Sequence, residues 1–355
     1  MSSRLVAKDA EGLNAGADPA LLRDFVTPVD LLFTRSHAPV PSVDPGTYRL
    51  RVHGMVSREL TLTLGDLAGM ARREETATLV CAGIRRSELE AVRPVPGELP
   101  WGAEPIGTGR WSGVPLADIL ALAGLDHRAT HIEFLGLDRV ERGGQVFGFG
   151  GSIPREKALG GEVLLADRLN GAPLPAEHGF PLRVVVPGYY GARSVKWLGE
   201  VVAREGPSPN YFQTQAYRVL RTPSAENPRD VSAGTELGEL VLNSVITSHA
   251  AGDRVAPGPA AIAGWANGTG GRPPARVEVS TDGGAHWMAA RLSGEGRFTW
   301  RQWRAEVTLP PGLHDLVVRA VDHDGRGQPA GLAEVWNVKG YANNAWHRVT
   351  VRAGN

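Results

Sequence analysis

Cys81 is the only cysteine in 355 residues, and Arg85 and Arg86 follow it four and five positions later in TLVCAGIRRSELE. A thiol beside guanidinium groups is drawn toward the thiolate, which is a nucleophile or a ligand for a soft or high-valent metal. The same arginines can receive an oxyanion. Gly83 gives the backbone room to turn or to approach a bulky cofactor. Taken alone, these residues fit an inert core cysteine better, because free cysteine is among the most buried residue types. A second basic group, Arg183, Arg193 and Lys196, falls within fourteen residues of LRVVVPGYYGARSVKWLG. Cationic side chains and glycine amides on loops beside a buried strand suit a phosphate, whereas Tyr189, Tyr190 and Trp197 suit a solvated charged face poorly. Both readings stay open on that segment. Arg35 and His37 lie in LLFTRSHAPVP, an extended, proline-broken stretch that also reads simply as a surface arginine and a turn histidine.

The elements that must carry these groups can be placed from periodicity. Apolar residues alternate through Tyr48, Leu50 and Val52 and again through Leu60, Leu62 and Leu64, which predicts half-buried strands. Asp66 to Ala71 reads as a short helix capped by Asp66, followed by a strand that ends at Cys81. Pro115 to Ala123 predicts a helix with Leu116, Ile119, Leu120 and Ala123 inward and Gly124 as its stop. His131 to Leu137 is a strand, and five glycines between Arg142 and Gly151 predict a loop running close to a ligand or another backbone. Leu182 to Val186 is a continuous apolar run suited to a covered sheet. Residues 1–30 are weakly patterned and read as an N-terminal arm. Residues 204–237, rich in Pro, Asn, Glu and Ser, read as a wrapping linker. Short alternating strands from Leu240 to Val321, with Asp282-Gly283-Gly284 and Pro310-Pro311-Gly312 as turns, predict an all-β immunoglobulin-like sandwich. The last segment, WNVKGYANNAWHRVTV, is expected to lie against another surface.

Composition bounds the function. The length predicts two domains, and 38 Lys+Arg against 38 Asp+Glu argue against a general nucleic-acid or acidic-membrane binder. One cysteine excludes an intramolecular disulfide and any zinc site built on several cysteines. With no export signal visible, the expectation is a cytoplasmic protein, or a periplasmic one if a leader has been removed; no membrane-spanning run is present. No nucleophile-elbow, Walker A or zincin pattern occurs.

Together, CAGIRRSE, GRWSGVPL, HGFPLRVVVPGYYGARSVKWLGEV and the later WNVKG and NAWHRV resemble the sulfite oxidase family of molybdenum enzymes, from about Phe33 onward. The resemblance implies an α+β molybdopterin-binding domain over 31–203 and an immunoglobulin-like dimerisation domain over 238–355, with no haem domain. It implies Cys81 as the thiolate ligand to molybdenum, with Arg35 and Arg86 around the oxyanion and Trp101 lining that pocket. Tyr217 would bond near the substrate oxygen and assist proton movement. His37, His178, Arg183 and Lys196, with the segment Gly191, Ala192, Arg193 and Ser194, would hold the pterin and its phosphate. The implied reaction is oxidation of sulfite to sulfate with Mo(VI)/Mo(IV) cycling, electrons leaving to an external acceptor such as a c-type cytochrome or oxygen, in a homodimer. An oxyanion or S-oxide reductase on the same cofactor is the alternative, and a non-catalytic β-sandwich binding protein is another. One position departs from the family: Lys339 stands where animal and plant members place a further arginine, keeping the charge but losing the bidentate fork.

Overall fold

A computed structural model describes residues 4–222 and 230–354; the parts of the expected arm, linker and C-terminal domain at 1–3, 223–229 and 355 lie outside the described residues. The predicted alternation from Tyr48 forms strands Leu50–Gly54 and Leu60–Leu62, paired antiparallel with Val52 opposite Leu60. Leu50–Gly54 also runs parallel to Leu198–Arg204, with Val52 opposite Val201. Contacts distant in sequence thus close a mixed five-stranded sheet that continues through His131–Gly136 to Gly150–Pro154. A second sheet joins Arg73–Val80, Ile106–Pro115, Leu164–Leu169 and Ala172–Pro173, with Arg183–Val185 paired onto Leu164–Leu169. The helix Leu116–Ala123 begins after Pro115 and stops at Gly124, whose φ of 70° suits glycine. Its inward residues Leu116, Ile119 and Leu120 pack with Leu50, Phe134, Leu165, Val184 and Val201 in one core. Each such fully buried aliphatic side chain contributes roughly 1.5–3 kcal/mol, so this helix fastens the two sheets that carry the site.

Two local readings change. The short helix spans Leu64–Ala68 and its cap is Thr63, whose hydroxyl accepts from the Asp66 amide while the Asp66 carboxylate accepts from the Thr63 amide. Asp66 therefore closes a capping box and is not the cap itself. The described part of the expected arm is packed. Leu5–Ala7 and Ala15–Ala17 form a hairpin, Ala15 pairs with Thr34, and Ala15, Ala17 and Leu22 are buried. Burial of small alanines leaves little periodic signal in sequence, which is why this stretch looks unstructured.

The expected sandwich is present. Asn243–Ile246, Gly258–Asn267, Arg301–Leu309 and Arg291–Ser293 form one sheet, facing a second built from Arg254–Val255, His347–Ala353, Gly312–Val321, Arg276–Ser280 and Met288–Ala289. Trp303, Ala305, Val307 and Leu309 alternate inward along their strand. The final segment does more than lie on a surface: His347–Ala353 pairs with Gly312–Val321 and buries Val349, Val351 and Ala353. In the expected linker, Arg218–Val219 pairs with Thr235–Glu236, while Phe212, Tyr217 and Leu237 are buried.

Candidate active site

The strand Arg73–Val80 delivers Cys81 to a cleft between the two sheets and the N-terminal segment. Cys81, Arg35, Ser36, His37, Asp138, His178, Arg183, Gly191, Ala192, Ser194, Lys196 and Tyr217 line it. Segments as far apart in sequence as Arg35 and Tyr217 therefore meet there, as the expected grouping requires.

Consecutive arginines after Cys81 separate sharply. Arg85 has φ 58°, ψ 26°, the left-handed region, so its side chain leaves in a different direction from that of Arg86. Arg85 is fully buried in the seam between the domains, where it forks onto Glu88 at 2.8 and 2.7 Å and reaches Asn243 Oδ1 at 2.9 Å and the Ala345 carbonyl at 2.7 Å. It is unavailable to an oxyanion. Arg86 stays on the Cys81 side: its Nε donates to the Lys339 carbonyl at 2.8 Å and its Nη1 to the Leu99 carbonyl at 2.9 Å. A Cβ on Gly83 would lie 2.8 Å from the Arg86 guanidinium carbon, so the room at Gly83 admits Arg86.

At the opposite wall, Arg35 is tied by Asn14 Oδ1, which accepts from its Nη1 at 3.0 Å and from the Ser36 amide at 2.9 Å. Arg35 Nη2 lies 3.2 Å from His37 Nδ1, and His37 Nε2 lies 2.8 Å from Tyr217 Oη. Guanidinium only donates, so Nδ1 must accept and the neutral ring carries its proton on Nε2. That proton goes to the Tyr217 oxygen, leaving the Tyr217 hydroxyl proton free for another acceptor. Burial first, and then the Arg35 charge, hold His37 well below the usual imidazole pKa, which keeps this neutral form.

Lys196 Nζ donates to Ser36 Oγ at 2.9 Å and to the Glu177 carbonyl at 2.8 Å. Arg183 donates to the carbonyls of His178 at 2.9 Å and Ser194 at 3.0 Å, with burial pushing it down to about 9. Burial and then Arg183 depress Lys196 strongly, with Asp138 opposing. Cations crowded into a shielded cleft in this way gain from a bound anion. For Cys81, burial raises the thiol pKa while Arg35 and Arg86 lower it. The thiolate therefore needs more than these arginines, and a metal held by Cys81 would supply that.

Four expected residues are not among those lining the cleft: Arg86, held by the Lys339 and Leu99 carbonyls, Lys339, paired with Glu98 at 3.1 Å, and also Arg193 and Trp101. Arg193 does not line the cleft; its buried side chain pairs with Glu236 at 3.0 Å, so only the main chain of this residue is near the site. Trp101 is fully buried beside Gly16 and Glu104 and is not on the cleft wall. Asp138 was not anticipated. It is buried, accepts from the Phe149 amide at 2.8 Å and lies so close to Gly136 that a Cβ there would meet it at 2.7 Å. Its only sequence signal is a carboxylate just past the strand His131–Gly136, between that strand and the glycine-rich hairpin. Those glycines serve backbone packing: Gly143 and Gly144 turn with positive φ, and a Cβ on Gly148 would strike the Gly136 carbonyl.

Comparison with known proteins bears on this architecture. Residues 37–212 match the oxidoreductase molybdopterin binding domain and residues 235–354 the Mo-co oxidoreductase dimerisation domain. The chain is 43% identical to mitochondrial sulfite oxidase of Homo sapiens over 95% of its own length and 64% of that protein, so it spans under two thirds of that relative. It is 42% identical to sulfite oxidase of Gallus gallus, covering 94% of this chain and 75% of the relative. The crystal structure of the sulfane dehydrogenase SoxCD from Paracoccus pantotrophus superposes with a TM-score of 0.80 at 27% identity, covering 96% of this chain and 87% of that one. With the Cys81 cleft, the paired domains and these similarities in hand, the chain belongs to the sulfite oxidase family of molybdopterin oxidoreductases.

Proposed function

We propose that this protein oxidises sulfite to sulfate with a molybdenum–molybdopterin cofactor and passes the electrons to an external acceptor, a small c-type cytochrome or oxygen. The observation that carries the reading is the convergence of one cysteine and the cations Arg35, Arg183 and Lys196 on a single cleft. The donor set fits the group: Cys81 offers a thiolate to the metal, while His178, Arg183, Ser194 and Lys196 form a basic, donor-rich wall for an anionic tail. When bound, the cofactor supplies two-electron oxygen-atom transfer. The protein's share is position and charge. Arg35, fixed by Asn14, and Arg86, fixed by two carbonyls, hold the oxyanion, so little reorganisation is needed as charge shifts. Tyr217, whose oxygen takes the His37 proton, presents its own hydroxyl proton to the substrate oxygen and can pass it on. The C-terminal sandwich is proposed to pair two copies into a homodimer, in keeping with the dimerisation-domain match.

The test is molybdenum analysis with steady-state turnover on protein made in a host that synthesises the cofactor. Bound molybdenum and sulfite-dependent reduction of cytochrome c are expected; metal-free protein refutes the reading. Cys81→Ser should lose turnover while keeping the fold, and full activity in that variant removes Cys81 as an essential ligand. Lys339 favours a second reading, reduction of nitrate or a sulfoxide, which the same preparation tests with those oxidants and a reduced dye.

A further inference from the structure

We infer that Glu98 sets the charge of the anion site by neutralising Lys339, so that this site holds sulfite yet releases the sulfate dianion. The inference rests on the sulfite reading above. Glu98 is assigned no part by the sequence motifs and stands in the loop that follows the short helix Arg86–Leu89. One of its carboxylate oxygens lies 3.1 Å from Lys339 Nζ and the other 3.5 Å from Arg86 Nη2. The next residue, Leu99, gives its carbonyl to Arg86 Nη1, and the Lys339 carbonyl takes Arg86 Nε. Arg86, Lys339 and Glu98 thus form one unit, fastened by main chain and side chain alike.

The pair is shielded. Side-chain exposure is 16% for Glu98 and 20% for Lys339, well below that of a free surface pair. The Glu98 charge also reaches inward, raising the pKa values of Tyr217 and Tyr341 after burial has done the greater part. Arg35, Arg86 and Lys339 bring three positive charges and Glu98 removes one. Coulomb energy scales with the ligand's charge, so a carboxylate here penalises a dianion twice as much as a monoanion. Sulfite takes up a proton near neutral pH and sulfate does not, so the penalty falls harder on product. Lysine at 339 suits this arrangement. A fork at the same place would bind substrate and carboxylate together and blunt the cancellation.

The experiment compares wild type, Glu98→Gln and Lys339→Met as cofactor-loaded proteins, with sulfate as the probe. Its readouts are sulfate's shift of the thermal midpoint and its inhibition constant against sulfite. Glutamine keeps the shape of the side chain and an acceptor for Lys339. Glu98→Gln should tighten sulfate by about 10-fold and lower kcat as product release slows, whereas Lys339→Met, which removes one cation and leaves Glu98 only the longer contact to Arg86, should weaken sulfate by about 10-fold or more. Opposite shifts from the two ends of one ion pair are not expected of residues that merely hold a loop. Unchanged or weaker sulfate binding in Glu98→Gln overturns the inference. Should that variant not fold, unchanged sulfate affinity in Lys339→Met does the same. Wild-type protein that carries molybdenum but does not turn over sulfite refutes the functional reading instead.

Discussion

Replacing Arg85 by Met tests whether the seam between the two domains, and not the oxyanion, is what this arginine serves. The guanidinium is fully buried and makes a forked pair with Glu88, plus bonds to Asn243 Oδ1 and the Ala345 carbonyl. Asn243 Oδ1 keeps the Ser244 amide as a donor, and the Ala345 carbonyl keeps Gln328 at 3.4 Å. The main casualty is Glu88, which retains only Asn343 Nδ2 at 3.3 Å and His347 at 3.9 Å. Removing one partner of a buried pair costs about 3–5 kcal/mol, and because Glu88 is 28% exposed the expected loss is about 3 kcal/mol. Methionine adopts the left-handed backbone at the same cost as arginine, so strain does not enter the difference. Urea unfolding followed by tryptophan fluorescence measures it, with Glu88→Leu and the double variant completing a cycle. The double variant should be more stable than the sum of the singles predicts by about 1–3 kcal/mol. Sulfite KM should stay within about 2-fold of wild type in whatever fraction remains folded, since the oxyanion contacts are assigned to Arg86. A stability loss under about 1 kcal/mol, or a KM raised about 100-fold, refutes the reasoning.

Two further outcomes follow from the same geometry. Tyr217→Phe removes the hydroxyl that accepts from His37, and kcat should fall by about 100-fold with the fold intact; a loss under about 3-fold in steady-state assays leaves Tyr217 without its proposed proton role. His347 accepts from the Ile246 amide at Nδ1, and burial, then Arg85, depress it to about 4. Its folded pKa is below the unfolded value of about 6.5, so the unfolded chain binds the extra proton first and stability falls as pH drops through that window. Between pH 7 and pH 5 the loss is about 2 kcal/mol, and His347→Gln should abolish that share of the pH dependence in urea titrations.

Local order was readable where one face of an element is buried. The helix Leu116–Ala123 follows from its i, i+3, i+4 spacing, and the Trp303 to Leu309 alternation gives a sandwich strand. The final strand His347–Ala353 has the same alternation, but the tryptophan and basic residues around it masked the pattern. Cys81, Arg35, His37, Lys196 and Tyr217 share a cleft, a grouping implied by the family resemblance and not by the local residues. What sequence does not carry is direction. Neighbouring Arg85 and Arg86 look equivalent until a left-handed φ parts them, and Asn14 and Glu98 become part of the site only through contacts 21 and 241 residues away.

The Arg86 contact to the Lys339 carbonyl also bears on biosynthesis. The molybdopterin-binding strands are made early, but the segment that locks Arg86, supplies Lys339 and gives Arg85 its Ala345 carbonyl comes from near the end of the chain. A chain that stops short of Trp336 carries Cys81, Arg183 and Lys196 but lacks the carbonyl that fixes Arg86 and the Lys339 charge. Under the proposed assignment, completion of that site therefore requires the Lys339 and Ala345 carbonyls of the second domain.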